Sequence, residues 1–139
     1  LSIRRQRQMC IRDRDTISTY TILVVEDNEP INRLFCRHLS AFGYSCSGVT
    51  NVEDALKQIH ANPPHLLILD FELPDGYGTR VLDDIQTHRL NIPTIVVSAS
   101  PRAFALKHTN YDIDHILVKP ISPSTLSELV QRTLINGIG

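Results

Sequence analysis

The chain has no tryptophan, a single methionine and three cysteines, and aromatic residues make up 6% of its 139 residues. Cys10, Cys36 and Cys46 are odd in number and none belongs to a C-x-x-C pair. That argues against a disulfide framework or a cysteine zinc site and for a reducing, cytoplasmic setting. No apolar run approaches the roughly 20 residues needed to span a bilayer, so an integral membrane protein is excluded and no membrane partner is expected. Strong charge of either sign is missing too. Fourteen Lys and Arg against fifteen Asp and Glu leave a net charge of −1, which offers nucleic acid no general attraction. What remains is a length suited to one domain, with enough apolar residues to bury a core unaided.

The near-neutral charge is a cancellation. Residues 1–20 carry Arg4, Arg5, Arg7, Arg12 and Arg14 against only Asp13 and Asp15, so residues 21–139 have a net charge of −4. The leader has no sustained helical or strand periodicity and no secretory apolar stretch. Its run RRQRQMCIRDR resembles translated sequencing-adapter tracts, and the chain starts on Leu1. Residues 1–20 are therefore read as a disordered or non-native leader, and residues 21–139 as the folding domain.

From Thr21 onward, short apolar runs alternate with amphipathic segments. Strands are predicted at 21–25, 44–49, 65–70, 92–98 and 114–118. The first helix begins near Pro30, turns Ile31, Leu34, Phe35, Leu39 and Phe42 inward, and stops at Gly43. The second is capped by Asn51 and buries Val52, Ala55, Leu56 and Ile59. The third spans 78–88, with Val81, Leu82 and Ile85 inward. A short fourth covers 101–109, and the last is capped by Ser122, with Leu126, Leu129, Val130 and Leu134 facing in. Five strands alternating with five helices imply an α/β fold, a doubly wound parallel (βα)5 sheet. The right-handed crossover rule favours the flavodoxin-like strand order 2-1-3-4-5.

In such a sheet the residues past the carboxyl ends of strands 1, 3, 4 and 5 converge on one crevice. Here they are Glu26 and Asp27, Asp70, Ser98, and Lys119. Clustered carboxylates raise one another's pKa unless a cation neutralises them, and hard oxygen ligands suit Mg²⁺. A carboxylate can itself be a nucleophile toward phosphorus, where catalysis is mostly positioning and charge neutralisation. Singly, each residue reads as turn chemistry or a solvated loop; together, at four strand ends, they read as a phosphoryl site. The six histidines, by contrast, show no metal-ligand spacing, and Cys36 and Cys46 read as core thiols.

The segments ILVVEDNEPINRLF, LLILDFELPDGYG, IVVSAS and ILVKPIS together resemble the receiver domain of two-component response regulators over about residues 21–136. The resemblance implies that Asp70 is the phosphoryl acceptor. It also implies that Glu26, Asp27, Asp70 and the backbone carbonyl of Glu72 hold Mg²⁺. Ser98 and Lys119 would contact the phosphoryl group, with Ala99 small enough to leave the acceptor open and Lys119-Pro120 cis. Glu72 and Ser100 fall at positions that tune autodephosphorylation in the family. Ile116 departs from the pattern, because the family commonly places an aromatic switch three residues before the lysine.

The implied function is a phosphoacceptor switch rather than an enzyme acting on a metabolite. Its partners would be a histidine kinase or histidine phosphotransfer protein and a downstream protein target, with a phosphorylation-dependent homodimer as a further possibility. The readout surface would be the 101–109 helix, the fifth strand and the last helix. Alternatives are a degenerate receiver acting as a scaffold, or the receiver fragment of a hybrid histidine kinase. A haloacid-dehalogenase-like phosphatase would want D-x-D where the chain has Asp70 and Glu72. A flavodoxin would want a hydroxyl-rich phosphate loop where it has Glu26 and Asp27.

Overall fold

A computed structural model describes residues 20–138, so the leader reading, apart from Tyr20, lies outside the described residues. Strands β1 (Thr21–Val25), β2 (Ser45–Val49), β3 (Leu66–Asp70), β4 (Thr94–Ser98) and β5 (His115–Val118) form one parallel sheet in the order β2-β1-β3-β4-β5. This is the expected order. The three central strands are the continuous apolar runs, and all their residues except Thr21 are buried. Parallel strands covered on both faces need no alternation of polarity.

The two-residue period of a strand divides these runs between two cores. Ile22 and Val24 point toward α1 (Glu29–Ser40) and the last helix, α4 (Pro123–Ile138), packing with Phe35, Leu39, Leu126 and Val130. Leu23 and Val25 point the other way, toward α2 (Val52–Ala61), α3 (Thr79–Thr87) and a 3₁₀ helix over Pro101–His108. Cys36 and Cys46 are half-buried beside the first core, where the hydrogen bond with the Cys36 thiol, and then burial, raise the Cys46 thiol. None of the described helices is long and apolar enough to cross a membrane.

Local chemistry accounts for the ends of these elements. Asn28 caps α1 by accepting from the Ile31 amide at 3.1 Å, and Asn51 caps α2 by accepting from Asp54 at 2.8 Å. Gly43, at φ 98°, turns the chain after α1 in the left-handed region that glycine adopts freely. Ser122 Oγ accepts from the Thr125 amide at the start of α4.

Two expectations are corrected. Leu34 and Phe42 are 45% and 55% exposed rather than inward, and Asn32 is buried in their place. Its amide Nδ2 donates to the carbonyls of Glu26 (3.0 Å) and Val49 (2.9 Å), and lies 3.4 Å from that of Val24. Satisfying these carbonyls at the edge of the sheet turns α1 about its axis. Gly48 makes room for it, since a Cβ there would overlap Asn32 Oδ1. The helix expected over 101–109 is a 3₁₀ helix, Pro101–His108, which buries Ala103 and Leu106 three residues apart. The 71–78 loop, in addition, contains a small antiparallel hairpin, with Glu72–Leu73 paired to Gly76–Tyr77.

Candidate functional site

Glu26, Asp70, Ser98 and Lys119 stand together at the carboxyl end of the sheet, each placed there by the backbone of its own strand. The Glu26 amide donates to Val49 O at 3.0 Å, so the residue still belongs to the β1–β2 ladder and is 1% exposed. Its Oε2 accepts from the Asn28 amide at 3.1 Å, which joins the acid to the cap of α1. Asp70 is the last residue of β3 and 2% exposed. Its Oδ1 accepts from the Glu72 amide at 3.1 Å, and its Oδ2 accepts from Lys119 Nζ at 3.1 Å. The Lys119 amide donates to Ser98 O at 2.8 Å, prolonging the β4–β5 ladder, and the Lys119-Pro120 bond that follows is cis.

Lys119 serves two acids at once, since its Nζ also lies 2.7 Å from Glu26 Oε1. That contact is an ion pair without hydrogen-bond geometry, and among the described residues the buried Glu26 Oε1 has no hydrogen-bond donor. Asp27 is exposed, yet an oxygen from each of Glu26, Asp27 and Asp70 lies within 4.8 Å of the others. Burial, followed by the hydrogen bond and charge of Glu26, pushes the Asp70 carboxyl up to about 7, against the pull of the Glu72 amide and Lys119. Burial lowers Lys119, but the two acids outweigh it and hold the ammonium above its ordinary value.

Three carboxylates around one ammonium leave an excess of negative charge, and one buried oxygen lacks a donor. A divalent cation answers both defects, and an all-oxygen donor set selects a hard ion such as Mg²⁺ over a softer transition metal. The residues present therefore fit the cation that the resemblance implies.

Ser98 is fully buried; its hydroxyl accepts from the Ser100 amide at 3.0 Å and donates to Glu72 Oε1 at 3.4 Å. Ala99 is exposed beside it. Ile116, at the position of the missing aromatic, is half-buried and packs against the α2–α3 core. An apolar groove lined by Ile31, Leu34 and Phe35 of α1 and by Ala99, Lys119, Pro120 and Ile121 opens next to the site. Exposed Leu34 thus has a place in the architecture, though not in the core.

Sequence reasoning passed over three residues that support this end of the molecule. Asn28 and Asn32 brace Glu26 from α1, and an Asn just before a Pro-containing first turn was a readable cap signal. Asp75 is different. From the hairpin after β3, its Oδ1 accepts from the Val52 amide at 2.8 Å and its Oδ2 from the Glu53 amide at 3.1 Å. These two bonds across 23 and 22 residues tie the loop after Asp70 to the start of α2 and hold the Asp75 carboxyl below the usual range. No local pattern announces them. Gly78 completes the loop: its amide donates to Phe71 O at 2.6 Å, and a Cβ there would crowd Asp70 O.

The response regulator receiver domain family matches residues 22–131. Among curated proteins, the chain is 32% identical to the transcriptional regulatory protein CssR of Bacillus subtilis, over 84% of this chain and 52% of that one. Among solved structures, it superposes on the signal receiver domain of a putative Luxo repressor protein from Vibrio parahaemolyticus with a TM-score of 0.78 and 27% identity. That alignment covers 84% of this chain and 91% of the other. The response regulator protein TrrA of Thermotoga maritima, in complex with Mg²⁺ and BeF, gives a TM-score of 0.71 and 27% identity over 83% and 99% of the two chains. The chain spans about half the length of the curated relatives it matches. Several are transcriptional regulators by name, so the expectation that nucleic acid is not a partner is not confirmed.

Proposed function

The chain belongs to the response regulator receiver domain family, and from that premise we propose that it is a phosphorylation switch with Asp70 as the phosphoryl acceptor. The observation that carries this reading is the placement of Asp70: a buried carboxylate at a strand end, with Lys119 at 3.1 Å and two more acids within 4.8 Å. A buried carboxylate serving structure alone would be fully paired; among the described residues, the one ammonium beside Asp70 is shared with Glu26.

The donor is a phosphohistidine on a histidine kinase or histidine phosphotransfer protein. An oxygen of ionised Asp70 attacks phosphorus, the P–N bond breaks, and the imidazole leaves with the bonding electrons and takes a proton from solvent. Lys119 faces the acceptor oxygen and pairs with the incoming charge. Glu26, Asp27, Asp70 and the Glu72 carbonyl would hold Mg²⁺, which would supply charge neutralisation at the phosphoryl group. The Ser98 hydroxyl leaves Glu72 for a phosphoryl oxygen and draws the end of β4 with it. That movement biases a two-state surface made of the 3₁₀ helix, β5 and α4. A shift from 1:99 to 99:1 requires about 5.5 kcal/mol of differential stabilisation. With Ile116 in place of an aromatic, the backbone after Ser98 carries the signal.

The groove beside α1 receives the donor protein, since it borders the acceptor and shares Lys119 with it. Asp70, the acid pair and Lys119 are all present, which favours a switch over a degenerate scaffold. Incubation with acetyl phosphate and Mg²⁺ tests the reading by mass. The wild-type chain gains one phosphoryl group and Asp70→Asn gains none; equal labelling of the two would refute it.

A further inference from the structure

We propose that His60, Asp84 and His88 form a surface site for one divalent transition-metal ion, such as Zn²⁺, that clips the carboxyl-terminal parts of α2 and α3 together. None of the three belongs to the phosphoryl site. His60 lies in the last turn of α2, Asp84 on α3, and His88 is the residue that caps α3.

The side chains already converge. His60 Nε2 is 2.7 Å from Asp84 Oδ2, and His88 Nδ1 is 3.4 Å from Asp84 Oδ1. The two imidazole rings stand 4.7 Å apart at 77°, and one ligand atom from each of the three residues lies within 4.8 Å of the others. Two imidazoles and one carboxylate are the donor set of an open tetrahedral zinc site, whose fourth position water fills. Zinc–ligand bonds of about 2.0–2.1 Å require ligand atoms about 3.3 Å apart. The two imidazoles are about half in solvent, whereas Asp84 between them is 19% exposed. His60 and His88 are 44% and 51% exposed, so an ion can enter without disturbing the core.

Two further features favour a cation here. α2 and α3 both end at this spot, and the unpaired carbonyls of helix ends carry partial negative charge. The His88 Nδ1 also lies 2.9 Å from the Asp84 carbonyl oxygen; a proton donated there orients the imidazole and leaves Nε2 of His88 as its ligand atom. Imidazole donors discriminate against Mg²⁺, so the site would not compete with Glu26, Asp27 and Asp70 for their ion. The mechanical consequence is also defined. Asp75 holds the start of α2 to the acceptor loop, and the metal would hold the far end of α2 to α3.

Zn²⁺ titration of the full chain in excess Mg²⁺, followed by calorimetry and thermal melting, tests the site. Wild type is expected to bind one Zn²⁺ that raises Tm and is lost on chelation. His60→Gln, Asp84→Asn and His88→Gln are each expected to weaken that binding about tenfold or more. His65→Gln, an exposed histidine elsewhere, is expected to leave it intact. Co²⁺ in place of Zn²⁺ should give tetrahedral visible bands without the intense near-ultraviolet absorption of thiolate ligation. Binding unaffected by all three ligand variants, or a Co²⁺ spectrum dominated by thiolate, overturns the proposal.

Discussion

At the strand ends, two carboxylates nearly sealed from water share one ammonium, with a third, exposed carboxylate beside them. At the ends of α2 and α3, one carboxylate faces two imidazoles that are half in solvent. Each cluster gathers three ligand atoms within 4.8 Å, yet they differ in what their environment does. Burial removes the solvent that would screen Glu26 from Asp70, so the first cluster holds an uncompensated charge that a cation or a protonation must answer. The second is screened, and its groups sit together at little cost. A divalent ion is therefore tied to the state of the fold at the strand ends, whereas at the helix ends it is an optional clip.

The sharpest way to break the contrast is Lys119→Ala. It leaves Glu26 and Asp70 buried without their shared partner and should lower the unfolding free energy in urea, without divalent ions, by about 3 kcal/mol. Excess Mg²⁺ should recover more of the loss there than it adds to wild type. Next, Asn32→Ala takes the side-chain donor from the Glu26 carbonyl and one of two donors from Val49 O, and should cost about 2 kcal/mol in the same measurement.

Asp70→Asn should act in the opposite direction. In chelator, the wild-type carboxyl is held up at about 7 in the folded state, chiefly by burial. The folded chain therefore binds this proton more tightly than the unfolded chain. The associated stability is complete below the ordinary carboxylate range and is lost as pH rises toward 7. The Tm advantage of Asp70→Asn over wild type should accordingly widen between about pH 4 and 7, and a constant gap would show that the site is already neutralised. The smallest effect belongs to the exposed cluster. Without metal, His60→Gln should change stability by no more than about 0.5 kcal/mol, because a solvent-screened pair contributes little.

These regions also differ in how they can be read from the chain. The buried runs 22–25, 66–70 and 94–98 announce strands covered on both faces, and the residues that follow them in sequence follow them in space. A one-dimensional rule thus places Glu26, Asp70, Ser98 and Lys119 together. α1 shows where that rule stops. Helical spacing counts Leu34 as a core residue because it scores hydrophobicity, whereas the carbonyls at the β1–β2 edge select Asn32 for the inward position. The 3₁₀ helix was misjudged for a similar reason, since two buried residues three apart are too few to separate a period of 3.0 from one of 3.6.

The histidines had no signal at all. His60 and Asp84 lie 24 residues apart on different helices, and a search for local H-x-x-x-H or cysteine pairs passes over them. Asp75 at the amides of Val52 and Glu53 is equally long-range. The sequence by itself determined the parallel sheet, its strand order and which residues end each strand, because strand burial and crossover handedness are rules of local pattern. Only the tertiary structure decided which face of α1 packs, which helix Asp75 caps and which imidazoles meet Asp84. Those outcomes depend on the rotation and offset of whole elements, which packing sets and no single segment encodes.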